Sequence, residues 1–382
     1  MPLSHLGYLN INKLSNKSLY QIALTCIKGV GVAHARNLIE IMGDEESVFK
    51  GDIADLLSIP GISRRLVNEI RDLEVLRRAE KELNFIEKNN LDFHFFTNNS
   101  YPQRLTNCID APIVLYSKGK TDFNHDKVIS IVGTRNSTRY GHDFCNDFIE
   151  DISHRIPNLQ IVSGLAYGVD ICAHKAAIKN NLSTIAVLAH GLDRIYPFPH
   201  RQTAIEMLEN GALLTEFKSN TNPDKHNFVK RNRIVAGMSD AVIVVESPLK
   251  GGSLITADIA NSYFREVFAL PGRFKDKMSA GCNKLISDNK AVLLESTDHF
   301  ITNMGWGVDT IEVNKPRQNE LFQELSTEEE KIVNVLHQND TMHVNALSIE
   351  LNISVKELFM TLLELEMKKI IEALPGGNYQ LV

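Results

Sequence analysis

The sequence predicts an α/β protein, a largely parallel sheet with a helical block before it and a small winged-helix block after it. Three observations carry that reading. Apolar, β-branched runs recur between residues 128 and 270 with helical stretches between them, the pattern of a parallel sheet covered on both faces. Residues 1–98 read as helical and contain two glycine turns. Beyond residue 325, two helix-start signatures and a Pro-Gly-Gly-Asn turn follow in the order of a winged helix. A chain of 382 residues exceeds one ordinary core and should divide into two or three domains.

In the first block, Ile27-Lys28-Gly29-Val30-Gly31-Val32 leads into one helix and Ile59-Pro60-Gly61-Ile62 into another. Each puts glycine in a tight turn between helices, as in a helix-hairpin-helix, where positive φ or close backbone approach is needed. Amides at the following helix start can hold a phosphate, and Arg64 and Arg65 favour contact at the second turn. Helix packing alone is the competing reading. In the second block, 99–302, strands are expected at 128–132, 159–162, 184–188, 212–215, 241–245 and 266–270, with an added strand at 113–116. Residues 303–324 lose periodicity and read as a linker. In the last block, 325–382, Ser326 with Glu329 and Ser354 with Glu357 match the capping box. A short helix lies between them, and a hairpin follows with its wing tip at Pro375-Gly376-Gly377-Asn378.

Hydrophobic content of 43% with 23% charged residues is that of a folded protein. A net charge of −6 excludes coating nucleic acid by bulk charge, so any such binding must come from a patch. Cys26, Cys108, Cys145, Cys172 and Cys282 are scattered and never spaced as CxxC, which fits a reducing cytosol and argues against a disulfide frame or thiolate zinc site. No metal or cofactor is expected. Met1 to Lys17 lacks the apolar core of a signal peptide, and no run of about 18 apolar residues occurs. The expected location is the cytoplasm, without a membrane span.

A cationic patch is nevertheless present. Lys225-His226-Asn227-Phe228-Val229-Lys230-Arg231-Asn232-Arg233 carries four formal positive charges and no acid. Its cations draw phosphates and Phe228 offers a base a stacking face, a pairing suited to single-stranded nucleic acid. With all four cations on phosphates, a log–log salt slope of about −3 is expected. A solvated basic helix end against an acidic surface is the plainer alternative. Loops of small residues follow three of the strands, at 133–137, 163–168 and 251–257. Ligands of open α/β sheets bind beyond the carboxyl ends of the strands, so these loops should share one crevice. Glycines there admit a phosphate to the backbone, helix starts supply amides, and Arg135 adds a planar fork. Neither GxGxxG nor GxxxxGK[ST] is present, so no dinucleotide fingerprint or P-loop can be claimed.

Ile131-Val132-Gly133-Thr134-Arg135 with Tyr140-Gly141, and Ser163-Gly164-Leu165-Ala166-Tyr167-Gly168-Val169-Asp170 with Ala173-His174, begin an ordered series of motifs. Gly191-Leu192-Asp193 with Tyr196-Pro197, Thr215-Glu216-Phe217, and the segment from Phe228 to Gly237 continue it. Ser253-Leu254-Ile255-Thr256-Ala257, Pro271-Gly272 and Gly281-Cys282-Asn283-Lys284-Leu285-Ile286 complete it. Together they resemble the DprA (Smf) DNA-processing family over about residues 101–295, and the flanking blocks fit that family's domain order. The resemblance implies an extended Rossmann-like core, an N-terminal helical (SAM/helix-hairpin-helix-like) domain and a C-terminal winged helix. It further implies a non-enzymatic protein that shelters single-stranded DNA, helps load the RecA recombinase during natural transformation, and commonly forms a homodimer. DNA-binding roles carry over to Arg135, Lys225, Phe228, Lys230, Arg231 and Arg233, with Asn232 in support. Close contact is implied for Gly133, Thr134, Ser163, Gly164, Ser253, Asn283 and Lys284. Three departures stand out: Gly251 replaces a usual serine, Cys282 a Thr or Ser, and Asn289-Lys290 a glycine-alanine pair, where Asn still tolerates positive φ.

An enzyme reading rests on Asp170 and His174, four apart and able to share a helix face, where a carboxylate can orient a histidine for acid–base work. The plainer reading is an acid at a helix start with a histidine packed behind it. The fold also resembles nucleoside-monophosphate phosphoribohydrolases, which makes a nucleotide-binding enzyme or sensor the alternative function. Their PGGxGTxxE signature, however, is broken across 251–258. Glu246 ends an apolar strand toward the crevice and is expected to pair with Arg231 or Arg233. In the last block, the candidate recognition helix sets Lys356 against Glu357, Glu364 and Glu366, which disfavours entry into a major groove. Protein interaction or dimer support is expected of it instead.

Overall fold

A computed structural model describes residues 16–307, 325–339, 341–374 and 376–382. Its centre is a nine-stranded sheet of β1 (Asp92–Phe95), β2 (Val114–Gly119), β3 (Lys127–Val132), β4 (Leu159–Ser163), β5 (Ser183–Val187), β6 (Gly211–Thr215), β7 (Ala241–Val244), β8 (Glu266–Ala269) and β9 (Val292–Leu293). The spatial order is β1-β2-β6-β5-β4-β3-β7-β8-β9. Every neighbouring pair from β6 to β9 is parallel. β2 joins β6, and β1 joins β2, antiparallel. The continuous apolar runs have a simple cause. Along β3, Val128 and Val132 enter the core on one face, while Ile129 and Ile131 enter the core on the other. β7 alternates in the same way, with Val242 and Val244 opposite Ala241 and Ile243. Full burial of each Val or Ile side chain stabilises the fold by about 1.5–3 kcal/mol.

The chain starts the parallel part at β3, moves outward through β4, β5 and β6, then returns to the other side of β3 for β7, β8 and β9. This reversal is the topological switch point, and it places the carboxyl ends of β3, β4 and β7 around one crevice.

Among the described residues, six helices precede the sheet: Asn16–Cys26, Val32–Met42, Glu45–Lys50, Ile53–Ser58, Arg64–Ile70 and Leu73–Asn89. Gly29 and Gly61 turn between helices at φ +86° and +83°, as the two glycine motifs require. The reading of 1–98 as wholly helical is corrected at its end, where Asp92–Phe95 pairs with β2 across a register from Asp92–Ser117 to Phe95–Val114. The helical block is latched to the sheet through Glu82, a buried carboxylate that accepts the Ser219 N–H (2.9 Å) and hydroxyl (2.7 Å). Lys218 Nζ adds a bond to the Thr25 carbonyl at 3.0 Å.

The last block holds helices Thr327–Gln338, Val344–Leu351 and Val355–Met367, with strands β10 (Met342–His343), β11 (Ile371–Leu374) and β12 (Asn378–Leu381) in the order β10-β12-β11. Both capping boxes form, each with its serine and glutamate satisfying the other's backbone amide. Pro375, and 308–324 of the stretch read as a linker, lie outside the described residues. This winged helix meets the core at the helix Gln103–Thr106 and at the start of β8: Asn345 Nδ2 donates to the Asn107 carbonyl (2.8 Å), and the Gly376 N–H to Glu266 (3.3 Å). Among the described residues, no helix is long and apolar enough to cross a membrane.

Candidate nucleic-acid interface

At the switch point a cleft of about 670 Å³ opens between the helix Lys225–Gly237 and the loops that follow β3, β4 and β7. Gly133, Thr134, Arg135, Lys225, Phe228, Arg231, Asn232 and Ser253 line it, as the sequence led us to expect. Asp170 and Lys250 line it too. The helix Gly252–Ser262 begins at the cleft without a side-chain cap, so its first amides are available to an anion.

The basic run does not act as one cluster. A helix turns about 100° per residue, so Lys225, Phe228 and Asn232 share a face from which Lys230 and Arg233 are turned away. Lys230 Nζ instead meets Glu216 at 2.9 Å and lies 5.3 Å from the Phe217 ring centroid. Arg233 donates to the same carboxylate at 2.7 Å. Both line a second cavity of about 520 Å³, against 30–34 of the first glycine turn. The expectation that all four cations converge is corrected by helical periodicity.

Arg231 is buried beneath the cleft, and its Nε has no hydrogen-bond partner. Burial drags the guanidinium pKa down, and the charge of Asp170 opposes that fall. Burial in turn raises the Asp170 carboxyl, against the pull of Arg231. Gly164 makes room for this pair: a Cβ there would stand 1.6 Å from Arg231 Nη1. Gly168, at φ +76°, lets the β4 loop close on the β3 loop, since a Cβ would stand 2.2 Å from the Thr134 carbonyl oxygen. The expected pairing of Glu246 with Arg231 or Arg233 does not occur. Glu246 is fully buried and accepts both the N–H (2.8 Å) and the hydroxyl (2.7 Å) of Thr138, where the helix Arg139–Arg155 begins. Two neutral donors at that helix start satisfy it, while the arginines face Asp170 and Glu216.

Arg135 is exposed, and its guanidinium lies 5.0 Å from the centroid of the Phe228 ring. The cation lies over the aromatic ring, so charge and aromatic surface meet at the mouth of the cleft, the combination that a phosphate and its base demand.

Residues 92–305 match the profile of the family described as DNA recombination-mediator protein A, and 316–377 that of the DprA winged helix domain. The chain belongs to the DprA (Smf) family. Protein Smf of Escherichia coli is 35% identical over 291 residues, covering 74% of this chain and 75% of that protein. The structure of DNA processing protein A from Streptococcus pneumoniae superposes with a TM-score of 0.60 at 28% identity, over 76% of this chain and 98% of that one. A Helicobacter pylori DNA processing protein A, described for its single-stranded DNA binding mode, gives a TM-score of 0.51 at 30% identity over 57% of this chain and 98% of that one.

Several DprA motif residues serve the scaffold and not the cleft surface. The Ser163 hydroxyl donates to the Ile131 carbonyl at 2.6 Å and is buried. Asn283 clamps Gly272, accepting its N–H and donating to its carbonyl, each at 3.0 Å. Lys284 pairs with Asp288 at 2.8 Å. The Cys282 thiol points into the core at the Val244 carbonyl (3.5 Å), and burial pushes its pKa up to about 12. Asn289 adopts φ +53°, the left-handed conformation that asparagine tolerates. Ser253, by contrast, keeps a buried hydroxyl without a partner at the cleft. His174 meets the Thr184 hydroxyl at 2.8 Å, and burial pushes it down to about 3, while Asp170 accepts the Ala166 N–H at 3.3 Å. The plainer reading of that acid–histidine pair therefore holds. Sequence reasoning missed Lys250, although it directly precedes the Gly251-Gly252-Ser253 loop. Among the described residues, no group of three His, Cys, Asp or Glu side chains could hold a metal ion.

Proposed function

We propose that this chain binds single-stranded DNA in the switch-point cleft, shelters it, and helps load RecA recombinase onto it during natural transformation. The observation that carries this reading is the placement of Lys225 and Phe228 on one helix face, opposite Arg135, in a cleft at the carboxyl ends of β3, β4 and β7. Lys225, Arg135 and Lys250 attract phosphates, and Phe228 accepts a base of any identity, worth about 1–3 kcal/mol per stacked base. Arg231 and Ser253 offer buried donors from the floor. A duplex hides its base faces in the stack, so the aromatic contribution is reserved for single strands. Support also comes from the Helicobacter pylori relative described for its single-stranded DNA binding mode. The loading role and a homodimeric state rest on the family resemblance. The reading includes no catalytic step: His174 is fully buried and meets the Thr184 hydroxyl, and Asp170 accepts the Ala166 N–H.

Fluorescence anisotropy with a labelled single strand and the matching duplex across a salt series tests the binding. Preference for the single strand, weakened by Arg135→Ala and Phe228→Ala, is the expected result. No binding, or equal binding to the duplex, overturns the proposal and redirects attention to a nucleotide-enzyme or sensor role. RecA-dependent ATP hydrolysis on the strand, with and without this chain, tests the loading step, and no stimulation would refute it.

A further inference from the structure

The aromatic surface continues beyond Phe228. The ring of Tyr196 lies 5.9 Å from it, centroid to centroid, tilted by 54°, and is 43% exposed. Its loop is firmly built. Buried His190 accepts the Tyr196 N–H on Nε2 at 3.3 Å, and its Nδ1 meets the Gly191 carbonyl at 2.9 Å. Asp193 accepts the Asn220 N–H at 2.9 Å and Arg194 donates to Asn222 at 2.6 Å, which ties this loop to the segment leading into the helix Lys225–Gly237. Two further exposed rings belong to the same region: Phe198 at 74% exposure, and Tyr167 at 46%, the latter packed edge-on against His200 at 4.8 Å. Buried His200 is itself anchored, its Nδ1 at 2.8 Å from the Leu165 carbonyl.

Scattered apolar residues on a surface need no explanation, but contiguous ones bordered by charge mark contact sites. These rings begin at the cationic cleft and sit on loops held by buried histidines, so they are preorganised. Resting on the binding proposed above, we infer that Tyr196 is a second base-stacking platform and that the strand leaves Phe228 across Tyr196 toward Phe198 and Tyr167. The 54° tilt between the two rings means that successive bases taken by them are splayed apart and the strand turns at this point. Bases suit this surface better than a folded partner does, because the exposed Tyr196 ring continues from Phe228, which lines the cleft with Arg135 and Lys225, while stacking ignores base identity.

Tyr196→Ala, Tyr196→Phe and Tyr196→Trp in the full chain test the inference against oligothymidylate. Tyr196→Ala should weaken binding about 5- to 150-fold with an unchanged salt slope, the range of one lost stacked base. Tyr196→Phe should bind as the parent does. Tyr196→Trp should show indole quenching on strand addition beyond any change in the parent, whose single tryptophan is Trp306. That last readout does not depend on whether Tyr196→Ala loosens the loop. If Phe228→Ala weakens binding while Tyr196→Ala binds as the parent and the indole signal stays still, the second platform is refuted and the proposed function stands. Equal loss in Tyr196→Phe and Tyr196→Ala would assign the effect to the hydroxyl and also refute stacking. If the parent binds no strand at all, the proposed function falls, and this inference with it.

Discussion

Lys225 and Lys230 lie five residues apart on one helix, yet their replacement by alanine should have separable effects on DNA binding. A count of charges in the run gives four cations and a salt slope of about −3. The structure leaves a different set at the cleft. Arg135, Lys225 and Lys250 line it, and none of the three has an ion-pair partner among the described residues. Arg231 is buried beside Asp170, and Lys230 and Arg233 engage Glu216 on the far side. At about 0.7 per single-strand phosphate contact, three cations give a slope of about −2, so affinity drops roughly 20-fold between about 50 and about 200 mM salt. Lys225→Ala should reduce the slope to about −1.4 and that drop to roughly 7-fold. Lys230→Ala should leave both unchanged. Anisotropy of a labelled strand at several salt concentrations, plotted as log affinity against log salt, reads the slope directly. A parental slope near −3, or the same loss of slope in both variants, would refute the division of the helix into two faces.

Phe228→Ala should weaken single-strand binding about 5- to 150-fold at every salt concentration without altering the slope, since a ring releases no counterions; a changed slope counts against it. Glu216→Ala should cost about 3 kcal/mol in urea unfolding, because it strips the carboxylate from Arg233, whose side chain is only 11% exposed. A loss below about 1 kcal/mol would show that Asp110, 4.0 Å away, suffices as a partner. Gly164→Ala should displace the Arg231 guanidinium, costing about 1–3 kcal/mol and weakening strand binding, and unaltered stability would contradict the close approach. Burial lowers His174 from 6.5 to about 3, so the unfolded chain takes up its proton first. Its contribution is complete above pH 6.5 and is lost progressively as pH falls toward 3, a decline that His174→Gln should flatten. An unfolding midpoint that stays constant from pH 7 to pH 5 in the parent would exclude this.

Local signals were legible in the sequence where their physics is local. The runs at 128–132 and 241–245 became β3 and β7 because both faces are covered, and β-branched residues suit that burial. Ser326 with Glu329 and Ser354 with Glu357 formed their boxes because a capping box needs only four consecutive residues. The turns at Gly29 and Gly61 and the left-handed Asn289 follow from the backbone preferences of single residues. The split of the basic run was also within reach, since the helical period alone separates Lys225 and Phe228 from Lys230 and Arg233. Other features were not. Whether Glu246 meets an arginine or Thr138, and whether Asn283 reaches the cleft or clamps Gly272, depends on residues up to 108 positions apart in the chain. The pairing of Asp92–Phe95 with β2, and the approach of Tyr196 to Phe228, are of the same kind.

The amino-acid sequence by itself determined the class of the core, the loops at its strand ends, the cationic helix and the family. Tertiary structure decided which distant partner each charge takes: Glu216 for Lys230 and Arg233, Asp170 for buried Arg231, and Thr138 for Glu246. Propensity, periodicity and capping are set by neighbours along the chain, whereas a charged side chain takes whichever partner the packing of distant elements leaves beside it.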